Sequence, residues 1–182
     1  VHIDTSINYY HKTDIRGKLE KKYIDLHYLY LEKFLRKLSN EFKKKVIVCI
    51  HPAYNYEEHK KYLKDFDVIK YKTRETIYNA FLVTFFDSSA ILDAVLLKKR
   101  IIGLISNFMG ENDVIRQKSW ASKIGCMKQE IKENFIFDKN KILIETENNK
   151  KNFDKYIYSY LCHEPNTKGI IQIIKQIKET YF

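Results

Sequence analysis

Proline and glycine are scarce in this chain of 182 residues, which holds two prolines and five glycines. That scarcity excludes collagen-like, linker-like and low-complexity classes. Long apolar runs are also lacking, since none approaches the ~18 residues that a membrane-spanning helix needs. Apolar residues nevertheless make up 45% of the chain, with 14 tyrosines and 11 phenylalanines, which excludes intrinsic disorder. The length predicts one globular domain over residues 1–182.

Acidic residues are outnumbered, because 33 lysines and arginines face 23 aspartates and glutamates and give a net charge of +10. Such an excess favours anionic partners, namely nucleic acid, phosphorylated ligands or an anionic membrane. Only five of the basic residues are arginine, the side chain that planar phosphate and base recognition prefers. We therefore interpret the charge as compositional drift and expect no specific nucleic-acid partner, with a basic nucleotide- or nucleic-acid-binding module as the alternative.

Cysteine is rare too, and Cys49, Cys126 and Cys162 lie far apart in the chain. None of the three shares a metal-ligand spacing with another cysteine. The pattern predicts no metal site and a reducing, cytoplasmic location.

Short apolar runs alternate with segments of helical periodicity along most of the chain. Continuous runs such as residues 46–50 and 101–105 are typical of strands buried on both faces, as in parallel sheets. Residues 135–137 and 142–144 are weaker strand candidates, and residues 151–162 and 167–181 are expected to be helices. The alternation predicts an α/β fold: a single Rossmann-like, doubly wound parallel sheet with helices on both faces.

Ligands of such sheets bind beyond the carboxyl ends of the strands, so the residues that follow each strand are the first candidates for a site. Ser88 and Ser89 open a predicted helix, where hydroxyls and unpaired amides favour an anion, and Asp93 follows one turn later. Capping by serine and a solvated Asp93 are the alternative interpretation. His51 and Pro52 end the most apolar strand, where a histidine is either a ligand contact or a structural residue, and Thr73 can cap the next helix.

These segments carry a family resemblance. The order VIVCIHPAY, then YKTRETIYNAFLVTFFDSSAILDAVLLKKRIIGLI, resembles the C-terminal, donor-binding half of GT-B glycosyltransferases. The His-Pro pair and the paired serines are similar to motifs of bacterial sialyltransferase-like enzymes, and DSSAILD also resembles CDP-glycerol glycerophosphotransferases. Together with HIDTSINYYHKTD, they resemble proteins that synthesise capsule or lipopolysaccharide. The resemblance covers about residues 1–105.

The resemblance implies that the chain binds a nucleotide-sugar donor. His51, beside Pro52, would contact the donor phosphate, Ser88 and Ser89 would hold phosphate, Asp93 would meet the ribose, and Thr73 the base or ribose. Arg100 stands where many relatives have proline, and no catalytic-base motif is present, so the catalytic residues stay unknown.

The resemblance implies that this chain is one half of a longer, two-domain glycosyltransferase. That enzyme would be metal-independent and would need no cofactor. Its acceptor would be a saccharide or a lipid-linked saccharide. Peripheral contact with the anionic inner face of the cell membrane would follow from the basic excess. A CDP-alditol phosphotransferase with the same pocket is the alternative enzyme.

Overall fold

A six-stranded, all-parallel sheet organises the chain in a computed structural model that describes residues 1–4 and 19–161. The strands are β1 (His2–Asp4), β2 (Ile47–Ile50), β3 (Asp67–Ile69), β4 (Leu82–Phe85), β5 (Arg100–Ile105) and β6 (Met127–Glu130). Their spatial order is β3-β2-β1-β4-β5-β6, with Ile3 of β1 in register with Cys49 on one side and Phe85 on the other. The predicted doubly wound α/β fold is confirmed.

Helices cover both faces of the sheet. They are α1 (Lys21–Phe42), α2 (Tyr56–Tyr62), α3 (Thr73–Tyr78), α4 (Ile91–Leu96), α5 (Glu111–Ile124), α6 (Lys139–Asn148) and α7 (Lys150–Tyr156), followed by a π-helical turn over Ile157–Leu161. Helix α1 buries an apolar stripe that includes Leu31 and Phe34 on one face, and α6 packs on that same side. Helices α3, α4, α5 and α7 bury theirs on the other.

Helix α5 approaches the sheet closely because β5 contains a glycine. A Cβ atom at Gly103 would lie 2.7 Å from the Cβ of Ala121 on α5, which any larger residue would push away. The helix then ends at Gly125, whose φ of 73° lies in the left-handed region that glycine adopts at low cost. These two glycines fix the position of α5 against strand β5.

Two strand predictions were wrong, and one strand was not predicted. Residues 142–144 lie in α6, which begins after Asp138, whose side chain accepts a hydrogen bond from the Lys141 amide. Residues 135–137 form no strand, whereas β6 was not predicted at all. Cys162 and the helix predicted over 167–181 lie outside the described residues. Within the described part, no helix combines the length and apolarity needed to cross a membrane.

Candidate functional site

A cavity of about 320 Å³ opens at the carboxyl edge of the sheet, beyond the ends of β1, β2 and β4. The strand order reverses direction between β1 and β4, and ligands of open parallel sheets bind beside such a reversal. Five residues singled out from the sequence line this cavity although they come from three separate loops: His51, Pro52, Thr73, Ser88 and Ser89.

Asp93 is not brought to the cavity lining. It lies on α4, where its Oδ1 accepts a hydrogen bond of 3.1 Å from Nε of Arg74 on the neighbouring helix α3. The carboxylate that was expected to meet a ribose therefore already has a partner on the helical face of the sheet.

The turn after β4 differs from the expected helix start. Helix α4 begins only at Ile91 and is six residues long, and the amides of Ile91 and Leu92 donate to the carbonyls of Ser88 and Ser89. The Ser88 hydroxyl accepts from the Ala90 amide at 3.3 Å, so serine does support the turn. Because these amides are already bonded within the turn, the serine hydroxyls rather than a row of open helix amides are the polar groups offered to the cavity.

Thr73 likewise does not cap α3, because the helix begins at Thr73 itself and Lys72 holds the capping position without a side-chain bond. The prediction of a Thr73 cap was wrong. Thr73 instead borders the cavity, which the buried Cys49 also lines.

His51 begins a tight turn in which the chain leaves the sheet. Its carbonyl accepts from the Tyr54 amide at 2.9 Å, and its Nδ1 accepts from the Ala53 amide at 3.2 Å. An Nδ1 that accepts from an amide carries no proton itself, so the neutral ring holds its proton on Nε2. His51 is solvent-exposed. Its own backbone orients the ring, which can donate through Nε2.

Beneath the cavity lies a buried charged pair that the sequence did not reveal. The carboxylate of Asp4, at the end of β1, is 2.9 Å from Nε2 of His59 on α2 and 3.5 Å from Nε2 of His2. Tyr28 of α1 donates to the same carboxylate at 3.4 Å. Asp4, His59 and His2 are all almost fully buried, and Tyr54 stacks flat on His59 with ring centres 5.7 Å apart.

Asp4 and His59 each favour the charged form of the other, which offsets the cost of burying the two charges. Burial disfavours both charges, but the bonds and charges of His59 and His2 outweigh it and hold the pKa of Asp4 below its usual range. Burial alone would raise the pKa of Asp4 but lower that of His59, and for His59 the neighbouring Asp4 carboxylate outweighs burial and raises the pKa. Asp4 is thus a carboxylate with its own counter-ion at the base of the cavity.

A second carboxylate, Asp87, reaches the cavity directly after β4. Nη2 of Arg116 on α5 lies 2.5 Å from its Oδ2 and 2.7 Å from Oδ1 of Asp113. Trp120, four residues after Arg116, also borders the cavity. The position of Asp87 at a strand end was visible in the sequence, whereas its link to α5 depends on residues about 30 positions away.

Comparison of the chain with family models, with curated proteins and with solved structures found no match.

Proposed function

We propose that this cavity binds the phosphate-bearing part of a nucleotide-sugar, and that the chain is the donor-binding half of a glycosyltransferase acting in surface-polysaccharide synthesis. The observation that carries the proposal is the convergence of His51, Thr73, Ser88 and Ser89 at the carboxyl edge of the sheet. Doubly wound sheets bind nucleotides at this place because the loops that follow neighbouring strands diverge there.

The hydrogen-bonding capacity of the cavity suits phosphate oxygens. Ser88 accepts one bond from Ala90 and keeps its hydroxyl proton for donation, and His51 offers its Nε2 proton. Lys70, whose ammonium is 3.2 Å from the carbonyl of Pro52, brings a positive charge to the same turn. Donors of this kind bind an anion more strongly than a neutral acceptor.

The two carboxylates at the cavity do not oppose an anionic ligand as bare charges would. Asp4 is balanced by His59, and Asp87 is balanced by Arg116. The volume of about 320 Å³ lies at the small end of ligand pockets, which suits a phosphate and an attached ring rather than a complete nucleotide-sugar.

The transfer itself needs an acceptor, for which a saccharide or a lipid-linked saccharide is proposed. A basic chain of net charge +10 would favour the anionic cytoplasmic surface of a membrane, where lipid-linked acceptors lie. In this proposal the catalytic base comes from outside the described residues, and the cavity supplies donor binding.

Calorimetric titration with matched pairs of ligands tests the proposal: UDP and UDP-glucose, GDP and GDP-mannose, CMP and CMP-sialic acid, CDP and CDP-glycerol. We expect one pair to bind, and we expect the double variant Ser88→Ala, Ser89→Ala to bind it about a hundredfold more weakly because two donors to a charged group are lost. Unfolding in denaturant should show a loss on the order of 1 kcal/mol or less, since only a capping bond disappears.

Ser39→Ala is the matched control, because Ser39 carries the same hydroxyl at the opposite edge of the sheet and donates to the Lys44 carbonyl. It should leave ligand affinity unchanged. Full affinity in the folded double variant would remove the phosphate-site assignment, and failure of all eight ligands to bind would remove the proposed function. Selective binding of CDP-glycerol would replace glycosyl transfer by alditol-phosphate transfer.

A further inference from the structure

One wall of the cavity carries a carboxylate and an aromatic ring, which have no part in the proposed phosphate binding. The turn after β4 and helix α5 place there the carboxylate of Asp87 and the indole of Trp120. The side chain of Asp87 is only 3% exposed, so it faces the protein and the cavity rather than bulk solvent.

Arg116 holds this carboxylate in a fixed position. Its Nη2 bridges Asp87 and Asp113, so one guanidinium is shared by two carboxylates. A carboxylate only accepts hydrogen bonds, and a carboxylate on the ligand would have no proton to donate to Asp87. The wall therefore favours a ligand group rich in O–H donors and disfavours a second anion.

Trp120 supplies the complementary apolar surface. It follows Arg116 by four residues on α5, so the two side chains share one face of the helix. The close contact between Gly103 and Ala121 fixes the depth at which α5 sits on the sheet. An indole has a broad apolar face, and a sugar ring presents apolar C–H groups on its face and hydroxyls at its rim.

We propose that Asp87 and Trp120 form the subsite for the sugar ring of the donor, and that this ring is neutral rather than carboxylated. Asp87 accepts hydrogen bonds from ring hydroxyls, Trp120 stacks on the ring face, and Arg116 is a positioning residue that holds Asp87. The inference rests on the proposed function, because the sugar is reached through the phosphate that the serines bind.

The chain contains a single tryptophan, so indole fluorescence reports on this subsite without any substitution. With excitation confined to the indole, a nucleotide linked to a neutral sugar should change the emission of Trp120, and the free nucleotide at saturation should not. Equal responses to the two ligands would overturn the subsite. Tighter binding of CMP-sialic acid than of any neutral-sugar donor would overturn the preference for a neutral ring.

Calorimetry on Asp87→Asn and Trp120→Leu tests the same point by substitution. In the unsubstituted protein the sugar-linked ligand should bind about tenfold more tightly than its free nucleotide, as expected for a hydrogen bond to a charged group. Each variant should bring the two affinities within about twofold of each other. Asp113→Asn is the control, since Asp113 shares Arg116 but does not border the cavity, and the tenfold preference should persist.

The outcomes separate this inference from the proposed function. Nucleotide binding without a sugar preference, or equal loss of both ligands in Asp87→Asn, overturns the subsite and leaves the phosphate site standing. Absence of binding by every nucleotide overturns both. If Asp87→Asn does not fold, the fluorescence comparison on the unsubstituted chain still decides.

Discussion

The two edges of the same sheet carry cavities of opposite character. At the amino edge, a cavity of about 410 Å³ is lined by apolar side chains of α1 and β4, including Leu35, Phe42 and Leu82, with lysines around its rim. The smaller cavity at the carboxyl edge is lined by hydroxyls, an imidazole and two carboxylates that each have a counter-ion. Of these two cavities, the larger one is the apolar one.

The direction of the strands explains the difference. In a parallel sheet every strand delivers its following loop to the carboxyl edge, where the backbone is free of the ladder and can turn polar side chains toward one point. The Ser88 turn and the His51 turn both arise in this way. At the amino edge the chain returns from helices, and apolar side chains such as Phe42 close that end against the core.

The largest effect should come from removing the charge beneath the carboxyl-edge cavity. Asp4→Asn leaves His59 without its buried counter-ion, and we expect the free energy of unfolding to fall by about 3 kcal/mol. The matched change at the amino-edge cavity is Glu75→Gln, which alters an exposed carboxylate and should cost less than about 0.5 kcal/mol. Denaturant unfolding of the two variants measures both.

A double-mutant cycle sharpens this result. If Asp4 and His59 act as one pair, adding His59→Leu to Asp4→Asn should cost much less than His59→Leu costs alone. Strictly additive losses would show that the two residues do not depend on each other, and equal losses at Asp4 and Glu75 would remove the contrast between the two edges.

The pH dependence of stability gives the next largest effect, because burial and charge shift the pKa values of two buried histidines, His27 and His59, in opposite directions. Burial lowers the pKa of His27 to about 4, although Asp4 opposes this shift, and His27 Nδ1 lies 2.7 Å from the Ser106 hydroxyl. Its neutral form is favoured by folding, so stability is lost as the pH falls from about 6.5 toward 4. His59 has a raised pKa, so its contribution is present below about 6.5 and is lost as the pH rises through that raised value.

The free energy of unfolding should therefore be greatest near pH 6.5 and decline on both sides, by about 2 kcal/mol on the acid side. Denaturant unfolding at a series of pH values measures the curve. His27→Gln should flatten the acid limb and leave the alkaline limb intact, whereas His59→Gln should do the reverse. A stability that rises steadily from pH 5 to 9 in the unsubstituted protein would contradict this assignment.

The sequence predicted the parts of this fold that depend on local pattern. Continuous apolar runs revealed the central strands, because such strands are buried on both faces. Strand β6 was not predicted, because an edge strand has only one neighbour and carries no continuous apolar run. Only Met127 of its four residues is buried. The run at residues 142–144 was too short to distinguish strand from helix, although Asp138 before it carried a capping signal.

The residues of the site likewise differ in whether local sequence pattern could predict them. His51, Ser88 and Ser89 were predictable because each follows a recognisable strand. The Asp4–His59 pair was not, because its members lie 55 residues apart and meet only through the packing of α2 beside β1. The Asp87–Arg116 pair likewise depends on how closely α5 packs against the sheet, and no pattern within either segment contains that information.

The smallest expected effect concerns Asp93, which the sequence suggested as a ribose contact. Its partner Arg74 has a side chain 57% exposed, and the pair lies outside the cavity lining, so it resembles a surface ion pair that contributes little. Asp93→Ala should change stability by about 0.5 kcal/mol or less and should leave the affinity for any nucleotide ligand within about twofold. Calorimetric titration beside the Ser88, Ser89 double variant makes the comparison direct. A fivefold loss of affinity would mean that Asp93 leaves Arg74 for the ligand, and the polar site would then extend from the carboxyl edge onto the helical face of the sheet.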